Sequence, residues 1–492
     1  MRWQMRRRWM RPRFWQGQRR GGDESCHTPP KWRFCAAVLH VWHGVGALMG
    51  LWFLRAPLWC GVAVALLAGC APRPDLAGLR AQFDGPAELR AARVGTEIAS
   101  TGFGRQVERA VLGHPQLAVA SAGLRGAQAR ADMEARGFYP QFALSATLGT
   151  LVNGAVGGGS ITPLLRVTQL VYDGGASASR QVAAQARVFE TQGGQQEIAA
   201  ALALSAVAGW HDLHAARARA RIAAENIRAH DIALSQVQAR AEAGASGSAE
   251  TLTAQARLAS ARARAAEAAA RVDRAEAGFA AVFGQRAAED LAQPPVAPSL
   301  PDQAEDVLIA QSPRMRGLNA RIAAAKADLA GVQAQRFPRI AIDGTAQRGS
   351  SRATLDVAQE PAAIGNRQAR IRAAEAQLAS VEAERAGLER DIARALSDLR
   401  SDQRAGAARV GAAREAVRAH RATVAAAREE FSIGRRTLLG LLDAERDLLE
   451  ASEAQIAAEL EVALSGYAAL ALTGDILDVF AIALPAPDGA DD

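Results

Sequence analysis

Apolar positions near the C-terminus repeat with the spacing of a coiled coil. One segment has them in steps of seven, at Val410, Val417, Val424 and Phe431, and the following segment at Leu442, Leu449 and Ile456. Gly434 separates the two segments, and Arg435 keeps the connection polar. The pattern predicts an antiparallel helical hairpin over residues 365–472, whose first arm is about 100 Å long.

Two other regions alternate apolar and polar residues with a period of two, which predicts β-strands. Residues 138–149 place Phe142 and Leu144 on one face, and a Gly-rich connection leads to a second alternating run that ends at residue 172. Residues 339–359 contain a similar pair, whose last strand, over 352–359, is shorter than the roughly 9 to 11 residues that cross a membrane. Each pair predicts a hairpin with one apolar and one polar face.

The chain repeats itself. Pro115 and Pro140 recur 198 residues later as Pro313 and Pro338, whereas glycines 175 and 244 recur at 365 and 434 after 190 residues. The second copy is therefore shorter by eight residues, all within its strand hairpin, and we infer a tandem duplication. The predicted organisation is a leader (1–69), a lipidated linker (70–102), a first repeat (103–291, hairpin 138–172), a linker (292–304), a second repeat (305–477, hairpin 339–359) and a tail (478–492).

These patterns predict a mainly α fold with a small β part. Each repeat contains a short helix, two strands, a long helix, a turn and another helix. The two shorter helices of a repeat together match the length of its long arm, so stacked end to end they would run alongside it. Aromatic residues make up only 5% of the chain, which suits slender packing of helical rods. We expect an α-barrel of rods joined to a small sheet.

Residues 49–70 have the organisation of a secretory signal peptide. Arg55 precedes an apolar run, and the ending Leu-Ala-Gly-Cys resembles the lipobox of bacterial lipoproteins, in which the cysteine, here Cys70, is acylated. An ordinary membrane anchor is the alternative. Ala71 follows in place of an aspartate that retains lipoproteins at the inner membrane, so outer-membrane sorting is expected. Residues ahead of Met49 match no targeting pattern, which makes Met49 the expected start.

The net charge of +7 belongs to the leader. Residues 1–69 contain 11 of the 58 Lys/Arg and 2 of the 51 Asp/Glu, which leaves 47 basic and 49 acidic residues in the rest. A nucleic-acid-binding surface would keep its basic excess in the folded part, so this partner class is excluded. All four cysteines also lie in residues 1–70, and the body therefore has no disulfide.

Three segments resemble the TolC family of outer-membrane efflux channels, including its lipoprotein members. They are TQLVYDGGASASR at 168–180, FSIGRRTLLGLLDAERDLLEAS at 431–452 and AALALTGDIL at 468–477. The resemblance covers residues 103–477, and the order of elements in the repeat is more specific than any single segment. It implies a homotrimer whose protomers each contribute four strands to a 12-stranded transmembrane β-barrel and four helical rods to a periplasmic tunnel.

The resemblance also implies roles for particular residues. Phe142, Leu144, Ile340 and Ile342 would face lipid, whereas Ser145, Thr147, Arg166, Asp343 and Asp356 would line the barrel lumen. The hairpin turns, with candidate residues Gly244, Gly434 and Arg435, would contact a periplasmic adaptor protein, which joins the channel to an inner-membrane transporter. The function implied is a passive exit duct of a tripartite efflux or type I secretion system.

The sequence departs from the family at two places. The second strand-to-helix junction, AQEPAAIGN at 358–366, lacks the YDGG found at 172–175. At the second turn, relatives often have two carboxylates three residues apart that narrow the aperture; here Gly440 occupies the first position and Asp443 the second. Three Asp443 side chains would form a repulsive, cation-selective ring. Alternatively, Asp443 belongs to a solvated helix face, together with Glu445, Asp447, Arg435, Arg436 and Arg446.

No other pattern in the sequence indicates catalysis, a cofactor or a metal site. His211 and His214 have a spacing that suits metal ligation, but a lone pair on an Ala/Arg-rich helix is more often part of the surface. The second function considered is a lipid-anchored periplasmic coiled-coil scaffold without a pore. The alternating strands argue against it.

Overall fold

The computed structural model describes residues 74, 76–84, 97–149, 160–244, 247–301, 303–347, 349–359 and 364–484. The predicted leader with Met49, the lipidation candidate Cys70 and most of the linker 70–102 lie outside the described residues. So does the end of the predicted tail, residues 485–492.

The described part of the chain is mainly helical and contains four strands. Its first half consists of α1 (Ala77–Asp84), a 3-10 helix (Glu97–Ser100), α2 (Gly102–Leu112), α3 (Pro115–Arg136), β1 (Gln141–Gly149), β2 (Ser160–Tyr172), α4 (Ala176–Glu242) and α5 (Ser248–Phe283). Its second half consists of α6 (Glu305–Gln311), α7 (Pro313–Ala334), β3 (Arg339–Gln347), β4 (Ser350–Ala358), α8 (Ile364–Ser432), α9 (Leu438–Thr473) and α10 (Ile476–Val479). The predicted fold class and the repeated order of elements are confirmed.

Local signals set the ends of the helices. Proline is the first residue of both α3 and α7, where its missing N–H costs nothing. Thr437 caps α9 by accepting a hydrogen bond from the Gly440 amide. Gly244 and Gly434 have φ of 73° and 76° at the two turns, a backbone region that other residues rarely adopt. The 67 residues of α4 and the 69 of α8 make rods of about 100 Å each.

The four strands form one antiparallel sheet in the order β1-β2-β3-β4. Strand β4 runs over Ser350–Ala358, nine residues, so the expectation of a short strand over 352–359 was wrong. It begins early because Gln347 pairs with Ser350 around a two-residue turn, in which Gly349 has φ of 85°. The polar start of β4 concealed this pairing in the sequence.

The helices keep the lateral order of the strands. Next to the sheet, α3 packs on α4, α4 on α7 and α7 on α8. Farther from the sheet the order is α5, α4, α9 and α8, because α5 follows the first turn and α9 follows the second. One lateral edge of the chain is thus formed by β1, α3 and α5, and the other by β4 and α8.

The largest hydrophobic core lies where α2 and α10 cross the middle of α4. Aromatic side chains dominate it: Phe103, Trp210, Phe279, Tyr467 and Phe480 are all buried there. By length and composition, α9 is the one helix among the described residues that is suited to cross a membrane. Some of its side chains are buried: Tyr467 and Leu470 lie in this core, and Leu438, Leu441 and Leu442 in a second cluster at the turns.

Candidate functional site

The register of the sheet sorts its side chains into two faces. Directly paired residues point to the same side, and Thr168 pairs with Asp343, Arg166 with Thr345, and Ala341 with Asp356. The lumen candidates Arg166, Asp343 and Asp356 therefore share one face with Ser145. Thr168 Oγ1 donates a hydrogen bond to Asp343 Oδ1 (2.5 Å), which holds this carboxylate across two strands.

The opposite face of the sheet is largely apolar, and it is exposed on the outer strands β1 and β4. Phe142 and Leu144 are 72% and 80% exposed, and Leu355 and Val357 are also exposed. Ile340 and Ile342 lie on the same face, paired with Val357 and Leu355, and are half-buried. A sheet in water would place a helix or a second sheet over such a surface. The chain provides a sheet with lipid-compatible and water-compatible sides.

The YDGG segment is a strand-to-helix cap. Asp173 accepts hydrogen bonds from the amides of Gly175 (3.1 Å) and Ser177 (2.7 Å), and so satisfies the first turn of α4. Gly174 has φ of 67° and lies against Phe337, where a Cβ would approach the ring to 2.5 Å. The motif thus fixes the angle at which α4 leaves the sheet. Residues 360–363 of the second junction lie outside the described residues.

The two hairpin turns lie side by side at the far end of the helices. Gly244, Gly434 and Arg435 are exposed there. An apolar cluster from all four long helices supports the turns; it consists of Ala233, Val237, Ala254, Val424, Ala427, Phe431, Leu438, Leu441, Leu442 and Ala444. Both turns are therefore held in one packed unit.

Arg240 joins the first hairpin to the second. Its guanidinium carbon lies 4.2 Å from the centroid of the Phe431 ring, a cation–π contact. The same guanidinium donates hydrogen bonds to the carbonyl oxygens of Phe431 and Ser432, at the C-terminal end of α8. Sequence reasoning missed this contact, because 191 positions separate the two residues and no local pattern links them.

The carboxylates at the start of α9 do not form one solvated face. Glu445 is buried and pairs with Arg428 of α8 (2.6 Å), so its assignment to such a face was wrong. Asp443 is partly exposed and pairs with Arg446 (3.3 Å), which also contacts Asp447 (3.0 Å) and Glu450 (3.8 Å). Asp443 and Glu445 thus differ in burial although both belong to the first turns of the same helix. Gly440, one turn earlier, adds no side chain.

His211 was expected at the surface and is instead buried in the central core. Its ring lies 6.4 Å from that of Phe103 and 5.9 Å from that of Tyr467, and Nε2 has no hydrogen-bond partner among the described residues. Burial lowers the pKa of His211 to about 4, with a further contribution from the positive charge of His214. The Ala-rich pattern around it concealed that α2 and α9 cover this face of α4.

The described part of the chain contains no candidate metal site, because no group of three or more His, Cys, Asp or Glu side chains lies close enough to hold an ion. The exposed apolar sheet face, the polar face with its charged residues and the paired turns are the features that need a functional explanation.

Comparison with known proteins accounts for these features together. The family described as "Outer membrane efflux protein" matches residues 107–285 and 306–474, one segment in each repeat. The outer membrane efflux protein BepC of Brucella suis biovar 1 (strain 1330) is 25% identical over 326 residues, which cover 63% of this chain and 71% of BepC.

Two solved structures show the same fold. The outer-membrane channel OprN superposes with a TM-score of 0.68 at 24% identity, over 83% of this chain and 95% of OprN. The outer membrane protein VceC from Vibrio cholerae gives 0.66 at 17% identity, over 76% of this chain and 96% of VceC.

Proposed function

The chain belongs to the outer membrane efflux protein family and is an efflux channel of the outer membrane, and we propose that three copies form a passive exit duct. The observation that carries the proposal is the four-stranded sheet, which has an exposed apolar face and two open edges and continues directly into long helices. The family and the similar solved structures are channels rather than enzymes.

Open sheet edges support the trimer. In the described part of the chain β1 and β4 each pair on one side only, and unpaired backbone groups are not tolerated within a membrane. Three copies would supply 12 strands and close the edges. The helical edges would close at the same time, because α3 and α5 lie under β1, and α8 lies under β4. The nine-residue strands have the length that a tilted spanning strand needs.

In the closed barrel, one face of the sheet would form the outside of the barrel wall and the other face the inside. Phe142, Leu144 and their neighbours would contact lipid, and Arg166, Asp343 and Asp356 would face the water-filled lumen. The helices would continue the duct into the periplasm. A scaffold without a pore does not explain the exposed apolar face, and this function is not favoured.

The turns are the proposed contact with the periplasmic adaptor, at Gly244, Gly434 and Arg435. An inner-membrane transporter would supply the energy and choose the substrate, so the duct itself needs no cofactor. Asp443 is the aperture candidate: three copies of this partly exposed carboxylate would meet near the axis and favour cations. Arg446 offsets part of that charge within each protomer.

Acylation of Cys70 would add a second attachment to the outer membrane. Helix α1 rests on α4 through the stacked rings of Phe83 and Phe189, 5.3 Å apart. Phe189 lies 13 residues into α4, about 20 Å below the sheet. The seven residues from Cys70 to Ala77 can span about 23 Å, a reach comparable to that depth. Mass measurement of the mature N-terminus tests the acylation.

Single-channel conductance of purified trimer in a planar bilayer tests the duct. Wild type is expected to show small, cation-selective steps that grow in Asp443→Ala. Glu429→Ala, which removes an exposed carboxylate near the end of α8, is the control and should change little. Equal conductance steps in wild type, Asp443→Ala and Glu429→Ala would show that Asp443 does not narrow the aperture. An absence of conductance steps from trimeric wild type would refute the channel.

A further inference from the structure

Three exposed aromatic residues mark the end of the sheet where the helices begin. Tyr139, Tyr172 and Phe337 are 49%, 41% and 40% exposed. Tyr139 and Phe337 occupy equivalent positions in the two repeats, each directly before the proline that precedes an odd-numbered strand. Large aromatic side chains at the boundary between an apolar surface and a polar one are typical of the membrane–water interface.

Arg336 completes this surface. Its guanidinium carbon lies 4.7 Å from the centroid of the Phe337 ring, and the Phe337 ring meets that of Tyr172 edge-on at 6.4 Å. The Arg336 carbonyl accepts a hydrogen bond from Gln359 of the neighbouring chain segment (3.4 Å). Arg336 is exposed, and none of the ion pairs found among the described residues includes it. The guanidinium is therefore presented at the rim, against the Phe337 ring.

The charges around this rim are mostly basic. Arg367, Arg370 and Arg372 lie in the first turns of α8, just beyond the sheet. Two nearby carboxylates are engaged: Asp173 caps α4 and Glu134 pairs with Arg180 (3.4 Å). By contrast, every charged residue of the four strands belongs to the polar face. A layer of negative charge just outside the apolar band would complement this distribution.

We propose that Arg336, stacked on Phe337, binds the phosphate of a phospholipid headgroup in the periplasmic leaflet of the outer membrane. The rings of Phe337 and Tyr172 lie at the border of the acyl region, and Tyr139 repeats the aromatic contact in the first repeat. An arginine suits the site because its planar group stacks and still donates to phosphate. The inference rests on the proposed function, since it requires that the sheet spans the membrane.

Native mass spectrometry of the detergent-purified trimer, titrated with phosphatidylglycerol, tests the site. Arg336→Ala is expected to weaken lipid binding about fivefold per site, the effect of one arginine at an anionic membrane surface. Arg336→Lys keeps the charge but not the stacking, so its lipid affinity should lie between those of wild type and Arg336→Ala. The matched control is Arg352→Ala, an exposed arginine on the polar face of β4, which should bind like wild type.

Equal lipid affinity of Arg336→Ala and Arg352→Ala would overturn the headgroup site. Phe337→Leu removes the aromatic ring on which Arg336 stacks. Lipid binding by Phe337→Leu as strong as that of wild type would refute a contribution of the stacking. Conductance of the same preparations tests the proposed function independently. A wild type without conductance refutes the channel, whereas a conducting Arg336→Ala with unchanged lipid affinity refutes only the headgroup site.

Discussion

Helices α4 and α7 touch through two glycines, and this contact gives a sharp test of the fold. An added Cβ at Gly193 would lie 2.7 Å from Gly317 Cα and 2.8 Å from Gly317 N. Both are backbone atoms, so no side-chain rotation relieves the overlap and the helices must separate. The adjacent Gly194 has no atom within 4 Å of the equivalent position. Gly193→Ala and Gly194→Ala therefore form a matched pair.

The pair isolates the cost of the overlap. Each variant gains about 1 kcal/mol from the higher helix propensity of alanine, and this gain cancels in the comparison. Forcing an extra methyl group into a close contact costs about 1–3 kcal/mol, so Gly193→Ala should be less stable than Gly194→Ala by that amount. With an unfolding entropy of about 2.1 cal/mol/K per residue, a chain of this length would melt about 1–3 °C lower.

Differential scanning calorimetry of both detergent-purified variants resolves such a difference. The melting temperature of Gly194→Ala is expected to be equal to or higher than that of wild type. The melting temperature of Gly193→Ala is expected to be lower than that of Gly194→Ala. If Gly193→Ala melts at the same temperature as Gly194→Ala or higher, the backbones of α4 and α7 are not in contact at this point. The ion pair of Arg314 with Glu197 (3.2 Å), which bridges the same two helices, would then also be in doubt.

Two further contacts predict measurable effects. Arg240→Ala removes the cation–π contact and two hydrogen bonds at the turns, so limited proteolysis of the turns should be about fivefold faster or more than in wild type. The cleavage rate of Arg240→Lys should lie between those of wild type and Arg240→Ala. Equal cleavage rates of Arg240→Ala and wild type would contradict this prediction. Burial lowers the pKa of His211 to about 4, against about 6.5 when unfolded, so the unfolded chain binds more protons between these values and stability falls as pH drops from about 6.5 to 4. His211→Phe should reduce this fall in melting temperature, and parallel curves for the two proteins would refute the assignment.

Periodic patterns determined the elements of this protein. Steps of seven and the registers of proline and glycine predicted the long hairpins and the duplication. Alternation within each strand predicted which of its residues share a face, and the register of the sheet places Arg166, Asp343 and Asp356 on one face, as the resemblance implied. Within one helix or strand, local geometry alone decides which side chains lie on the same side.

Contacts between distant segments were decided only by the tertiary structure. An Ala-rich helix has several similar faces, so its pattern does not show which one a neighbour covers; hence His211 was expected at the surface and is buried. For the same reason Glu445 was grouped with Asp443, although it pairs with Arg428 of α8. Packing free energy depends on the partner across the interface, and the sequence of one helix does not contain that partner.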